Sequence, residues 1–428
     1  MRNGLKQCAA AAALLALPVG ASAQELLIWH DKGDLGTVMF EDIGKLFAEE
    51  HPGVTVRALS FPTDQWLSKS IAALNTNTAP DLLFNDNFRI NVIQQSSGKL
   101  SGVQDMVDGL DDATRAALPE GALDASTLDG TLLMLPLQQA TGAFGVRTSW
   151  LEAVGEEYPE TWEDVFRIGK KFATEDPDGN GSDDTFGMAL QAGNPSVTHQ
   201  MLELFGFGAG LDHLIIDDEG NVVLDDPRNA KLIQTFLRIF QEEGLVSPDT
   251  INHVFTDMYQ LIEGGRAGMF RVLDANVVKW DGIEGLAGDY TIGPIPSLFE
   301  DEPPAVEMHS VRSIVVTPSS DNPELAAQYA AFALQPESQA IMLKNKGSGV
   351  RGDIPLDGLS DTQAFFAKPQ YPVNPNDFLS AKFAWYPELQ EAFYREISDA
   401  IANPPADFDA WIKATAEKMQ DKVADLKD

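Results

Sequence analysis

The sequence predicts an α/β fold in two lobes, each a mainly parallel sheet flanked by helices. Two observations carry this. Between residues 24 and 84, apolar stretches of period two alternate with stretches of helical period in the order β-α-β-α-β, the order in which parallel strands are joined through helices. From residue 131 onward a second run of strands and helices follows, after one continuous apolar stretch.

The elements read in order. Leu26-Leu27-Ile28-Trp29 is a short apolar strand. Met39, Ile43, Leu46 and Phe47 share one face of a helix that His51-Pro52-Gly53 ends. Val54, Val56 and Ala58 alternate as a strand, and Trp66, Ile71 and Leu74 suit a second helix. After a loop from Asn75 to Pro80, Asp81-Leu82-Leu83-Phe84 is a buried strand. A strand from Thr131 to Leu135 runs through Pro136-Leu137-Gln138-Gln139 into Phe144-Gly145-Val146, a crossing point between lobes. Thr161-Trp162-Glu163-Asp164 starts a helix with a capping-box pattern. Helices follow near Arg228 to Glu243 and Thr256 to Glu263, the latter stopped by Gly264-Gly265, and Gly268-Met269-Phe270 starts a strand. Pro323 to Leu334, Pro336 to Lys344 and the charged, amphipathic stretch from Phe408 are helices. The Gly-rich segment Phe205 to Gly210 lacks the strand-bounded dinucleotide pattern and reads as a loop.

Composition excludes several function classes. The formal net charge is −35, which repels phosphate backbones and anionic lipid, so nucleic acid is not an expected partner. The first 23 residues read as an export signal: Arg2 and Lys6, the small and apolar run Ala9 to Leu17, then Ala21-Ser22-Ala23 as cleavage site with Gln24 as the mature start. That run is too short to span a bilayer, and nothing after it is long and apolar enough. The single cysteine, Cys8, lies in the signal, so the mature chain has no disulfide, thiolate metal ligand or Cys nucleophile. A thiol-free chain suits an oxidising compartment, and the periplasm is the expected location. No Gly-x-Ser-x-Gly, His-Glu-x-x-His or P-loop motif appears, and the chain is not expected to be an enzyme. The rival class is a secreted glycan-active enzyme using two of the many carboxylates.

In open α/β sheets, ligands sit beyond the carboxyl ends of the strands. Here the first strand is followed by His30-Asp31-Lys32-Gly33-Asp34 and the third by Asn85-Asp86-Asn87. A separate motif, Asp176, Asp178, Asn180, Ser182 and Asp184, places oxygen ligands at alternate positions with Gly181 sixth, like the start of an EF-hand calcium loop. The twelfth position is Gly187 rather than Glu, and a solvated acidic turn is the competing reading. Calcium, if bound there, is structural, and no cofactor is required.

Several phrases then carry a resemblance: Phe47-Ala48-Glu49-Glu50-His51-Pro52-Gly53-Val54, Ala79-Pro80-Asp81-Leu82-Leu83 and Thr161-Trp162-Glu163-Asp164-Val165. They are joined by Ile262-Glu263-Gly264-Gly265-Arg266-Ala267-Gly268-Met269, Asp321-Asn322-Pro323-Glu324-Leu325-Ala326 and Gly347-Ser348-Gly349-Val350-Arg351. In this order, over almost the whole chain, they resemble the extracellular solute-binding proteins of ABC importers, in the branch that includes maltose-binding protein. The resemblance implies a two-lobed periplasmic-binding-protein clamp (Venus-flytrap) whose chain crosses between lobes about three times. It puts residues 24–138 and 312–336 in the first lobe, and 139–311 and 337–428 in the second. It also implies a monomer that closes on a solute and delivers it in a transient complex with an inner-membrane ABC permease.

Usual ligands of that branch are sugars and polyols, which need forked donors and acceptors and an aromatic plane. Matching positions are His30, Asp31, Lys32, Asn85 and Asp86 in the first lobe and Gln138 and Gln139 near the crossing. From the second lobe come Arg271, Asp274, Asn276, His309, Arg351 and Trp385. Trp385 could be core, as aromatic clusters often are, and the resemblance alone puts it in the cleft; His309 and Arg312 could be structural partners of acidic neighbours. Asn85 and Ala275 stand where maltose-binding protein has tryptophan, so a mono- or disaccharide or a polyol is expected rather than a long oligosaccharide. The alternative solute is an anion or polyamine, an anion fitting if Arg89, Arg271, Arg312 and Arg351 converge. On this reading Asp86→Ala and Asp274→Ala each weaken binding about ten- to a hundredfold and leave the fold intact.

Overall fold

The computed structural model describes residues 24–427 except 141, 196, 197, 199, 200, 203, 204, 207–210, 300–309, 368–378, 380 and 381. The export signal with Cys8, His309 and most of the Gly-rich segment lie outside the described residues. No helix among the described residues is long and apolar enough to cross a membrane.

The N-terminal alternation folds as read. Strand β1 (Gln24–His30) leads through α1 (Gly33–Glu50) to β2 (Val54–Ser60), then through α2 (Thr63–Thr76) to β3 (Leu82–Asp86) and directly into α3 (Asn87–Ser97). β1 pairs parallel with β2 and β3, as strands joined by helical crossovers must. α1 buries Met39, Phe40, Ile43 and Phe47 along one stripe. Gly44 lets it lie close on the sheet, since a Cβ there would come within 2.4 Å of the Val56 side chain. Along β3, Leu82 and Phe84 enter the core under α1 while Leu83 enters the core under α2 and α3, the two-residue period of a sheet covered on both faces.

The stretch expected as one strand from Thr131 is broken. β4 (Thr127–Leu128) and β5 (Thr131–Leu132) form a hairpin across Asp129 and Gly130, both with positive φ, and β6 (Leu135–Ala140) starts anew. Asp-Gly is the preferred pair for that two-residue turn. One residue after β6, β7 (Gly142–Arg147) belongs to a second sheet with β8 (Phe186–Ala189), β9 (Ala267–Leu273) and β10 (Tyr290–Gly293). β11 (Ser310–Val316) returns to the first sheet, whose order is β2-β1-β3-β11-β6; the second is β10-β7-β9-β8.

The sheets are mixed rather than mainly parallel. β11 runs antiparallel to β3 and β6, and β7 runs antiparallel to β9 and β10, leaving β8–β9 as the parallel pair of the second sheet. The strands that return through lobe crossings arrive without a helical crossover of their own, so nothing constrains them to be parallel.

The expected helices keep their places with shifted ends: α4 (Trp162–Thr174), α5 (Pro227–Gln241), α6 (Phe255–Glu263), α8 (Pro323–Phe332), α9 (Pro336–Lys346) and α11 (Phe408–Lys427); α7 (Asp274–Trp280) and α10 (Tyr386–Ala402) were not anticipated. The capping box at Thr161 and Asp164 forms. The expected lobe boundaries need correction. Residue 138 falls inside β6 and residue 312 inside β11, so the first sheet runs to Ala140 and resumes at Ser310. α9 packs on α1, and Met342 and Val350 join the core of Phe40 and Tyr329, so the first lobe extends past 336 to about Val350. The C-terminal helices pack on the second lobe, where Leu389, Phe393, Ile412 and Met419 share a core with Phe144 and Met269.

Candidate functional site

The carboxyl ends of β1, β3 and β9 and the flank of β11 bring charged groups together where the two sheets meet. Asp86, at the tip of β3, is the hub. Its carboxylate accepts from Lys32 Nζ at 3.1 Å, Arg89 Nη1 at 2.5 Å and Arg312 Nε at 3.1 Å. Arg89 lies three residues on in α3, and Arg312 is Asp86's register partner across β3 and β11. Lys32 Nζ also forms an ion pair with Asp31 at 2.8 Å and donates to Asn85 Oδ1 at 3.3 Å. Burial opposes ionisation of Asp86, yet Lys32, Arg312 and Arg89 outweigh it and hold the carboxyl well below the usual range. At Asp31, burial is likewise outweighed by Lys32 and Arg89, and the carboxyl lies below its ordinary value. Burial also opposes the Arg312 charge, which Asp274 and Asp86 more than restore.

Asp274, the first residue of α7 and fully buried, clasps the lobes. Its Oδ2 accepts from Arg312 Nη1 at 3.4 Å and from the Ser348 hydroxyl, both on the first lobe, and its Oδ1 from the Ala275 N–H at 2.8 Å. Gly347 makes the contact feasible: its φ is +73°, and a Cβ would stand 2.4 Å from the Asp274 carbonyl oxygen. The 347–349 turn lies along β6, where Gln138 Nε2 donates to the Ser348 carbonyl at 3.1 Å and the Gln139 N–H to the Gly349 carbonyl at 3.0 Å.

Around this neutralised cluster several buried amide atoms have no hydrogen-bond partner among the described residues. They are Asn85 Nδ2, Gln138 Oε1 and Gln139 Oε1; elsewhere both amide atoms of the buried Gln191 are likewise without one. Gln191 stands two residues past Ala189, which faces Phe270 in the parallel β8–β9 pair. Sequence reasoning missed Gln191, which lies past the end of β8 where no strand period marks it, and Ser348, whose hydroxyl reaches Asp274 only through the fold.

The expected site residues thus divide. Asp31, Lys32, Asn85, Asp86, Gln138, Gln139 and Asp274 come together, with Arg89 and Arg312 added. His30 is close but buried and engaged: its Nδ1 accepts from the Lys32 N–H at 3.1 Å and its Nε2 pairs with the Thr37 hydroxyl at 3.2 Å. Asn276 caps its own helix, accepting from the Leu273 N–H at 3.0 Å. Arg271 faces Phe144 across β7 and β9 and is half-buried. Arg351 is held inside the first lobe by Thr114, the Leu334 carbonyl and Asp353. Trp385 stands 4.9 Å from the Phe383 ring with the Lys427 ammonium 5.3 Å from its own, packed on the second-lobe core.

The Asp176 loop is exposed and largely engaged with itself. Asp176 accepts from the N–H groups of Asn180 and Gly181, Asp178 from Asn180 Nδ2, and Asn180 Oδ1 from the Ser182 N–H. No group of three or more His, Cys, Asp or Glu side chains among the described residues is arranged to hold a metal ion.

Known proteins share the fold. A fructooligosaccharide ABC transporter substrate-binding protein of Streptococcus pneumoniae serotype 4 is 23% identical over 308 residues, 66% of this chain, and the match spans 55% of that relative's length. A solute-binding protein from Thermotoga lettingae bound with α-D-tagatose superposes with a TM-score of 0.76 at 18% identity, covering 94% of this chain and 100% of that one. One from Agrobacterium radiobacter K84 in complex with ribitol gives 0.72 at 17% identity, covering 94% and 99%. Finally, the model of the bacterial extracellular solute-binding protein matches residues 34–340, and the chain belongs to that family.

Proposed function

We propose that this protein is the exported, periplasmic solute-binding component of an ABC importer, and that it captures a neutral monosaccharide, disaccharide or polyol between its lobes and passes it to the inner-membrane permease. The observation that carries this is charge balance. Asp31, Asp86 and Asp274 are interleaved with Lys32, Arg89 and Arg312, so the cleft offers no spare charge. What it offers is unpaired amide donors and acceptors, the chemistry that hydroxyl groups satisfy. Arg89 and Arg312 do converge, but on Asp86, which disfavours an anion; Arg351 is engaged elsewhere. A carbohydrate-cleaving enzyme needs a carboxyl that keeps its proton near neutrality, and Asp31 and Asp86 are held in the opposite direction. The sugar and polyol held by the two similar structures, and the named substrate of the pneumococcal relative, support the same solute class.

The test is a thermal-shift screen with D-tagatose, ribitol, maltose, a sugar acid and spermidine, followed by calorimetry, since a ligand of the native state raises its melting temperature by mass action. A neutral sugar or polyol is expected to stabilise. Stabilisation by the acid or the polyamine alone overturns the reading.

A further inference from the structure

Beneath the cluster the first lobe carries a row of asparagines that packing alone does not explain. Asn85, Asn87 and Asn91 are each at least 99% buried. Asn87 Nδ2 donates to the Ala125 carbonyl at 2.9 Å and to Ser126 Oγ at 3.1 Å, and Ser126 Oγ lies 3.3 Å from Ser313 Oγ. Ser313 is the cross-strand register partner of Asn85, and Asn91 follows Asn87 one helical turn on, along the same face of α3. The row is therefore continuous from the cleft floor into the lobe. Along it Asn85 Nδ2, Asn87 Oδ1, Asn91 Nδ2 and Asn91 Oδ1 have no partner among the described residues. Buried polar groups are seldom left unmade, because each costs its full desolvation. Two unpaired donors and two unpaired acceptors on residues of one row match a group that both gives and takes hydrogen bonds, and not an ion of either sign.

We propose that Asn85, Asn87 and Asn91 line a buried pocket for neutral hydroxyl oxygens, supplied either by ordered water or by a hydroxymethyl arm of the solute. The solute arm rests on the sugar reading; the pocket does not. Water in such places makes about three bonds to otherwise unsatisfied groups and is costly to remove.

The experiment is Asn91→Leu, close in volume and apolar, measured by melting temperature without ligand and by calorimetric affinity for the best of D-tagatose, ribitol and maltose. If water fills the pocket, the ligand-free melting temperature falls by on the order of 2 °C and affinity changes little. If the solute fills it, the ligand-free protein is as stable as the wild type or more so, and affinity drops about tenfold or more. A variant that is more stable and binds with wild-type affinity overturns the proposal, since it means a dry pocket without function. A high-resolution crystal structure of the wild type, with and without ribitol, decides the matter if the variant fails to fold: no oxygen within hydrogen-bond reach of Asn91 in either state is equally fatal. A wild type that binds none of the probes sinks the sugar reading, while the melting temperature and the crystal still judge the pocket.

Discussion

Two clusters of carboxylates in this molecule look alike in sequence and differ in what they are paired with. Asp31, Asp86 and Asp274 are buried at strand tips and bound to side-chain cations from three separate stretches of chain. Asp176 and Asp178 are exposed in one loop, which Asp184 completes, and these three bond mainly to that loop's own N–H groups and Asn180 amide. A buried ion network depends on every member, because removing one leaves the others charged and desolvated. An exposed turn depends on none in particular, because water replaces what is lost. The comparison also revises an expectation. Asp86 and Asp274 were expected to contact solute and to be dispensable for folding; in the structure both tie protein groups together first.

The largest effect that sharpens this contrast is on stability. Asp86→Ala strands Lys32, Arg89 and Arg312 without their shared partner, and it is expected to lower the unfolding free energy by about 3–5 kcal/mol. Asp178→Ala should change it by about 0.5 kcal/mol or less. Denaturant unfolding measures both, and equal effects would erase the distinction between the clusters.

Acid titration gives the next effect, with opposite signs for the two clusters. Asp86 and Asp31 have folded values below the ordinary 3.8, so their contribution to stability is complete above that value and is lost as pH falls from 3.8 through the folded values. Asp178 is pushed up, by partial burial and by its Asp176 and Asp184 neighbours, so its contribution is present below 3.8 and is lost as pH rises through the folded value. Melting curves between pH 6 and pH 2 (about the range over which free and ion-paired carboxyls titrate) should show Asp86→Asn flattening the acid limb. Asp178→Asn should instead stabilise slightly at the upper end. An acid limb unchanged in Asp86→Asn would mean the ion network contributes nothing to it.

The smallest expected effect is calcium's. The proposal that the Asp176 loop binds it predicts a rise in melting temperature on the order of 1 °C with millimolar calcium, reversed by chelator and leaving solute affinity unchanged. Identical melting with and without chelator would leave the loop as an acidic turn, the role its internal hydrogen bonds already serve.

The sequence by itself determined the local alternations: apolar period two in Val54, Val56 and Ala58, the helical stripe from Met39 to Phe47, the capping box at Thr161, and the polar strand tips after Trp29 and Phe84. These are legible because neighbouring residues set backbone preference and face. Tertiary structure alone decided which lobe α9 joins, that β6 and β11 run antiparallel, and that Arg312 meets Asp86 from 226 residues away. It also decided that Trp385 packs beside Lys427. Gln191 and Asn91 illustrate the reason. A buried amide and a surface amide are the same letter, and only the packing around each leaves its hydrogen bonds unmade.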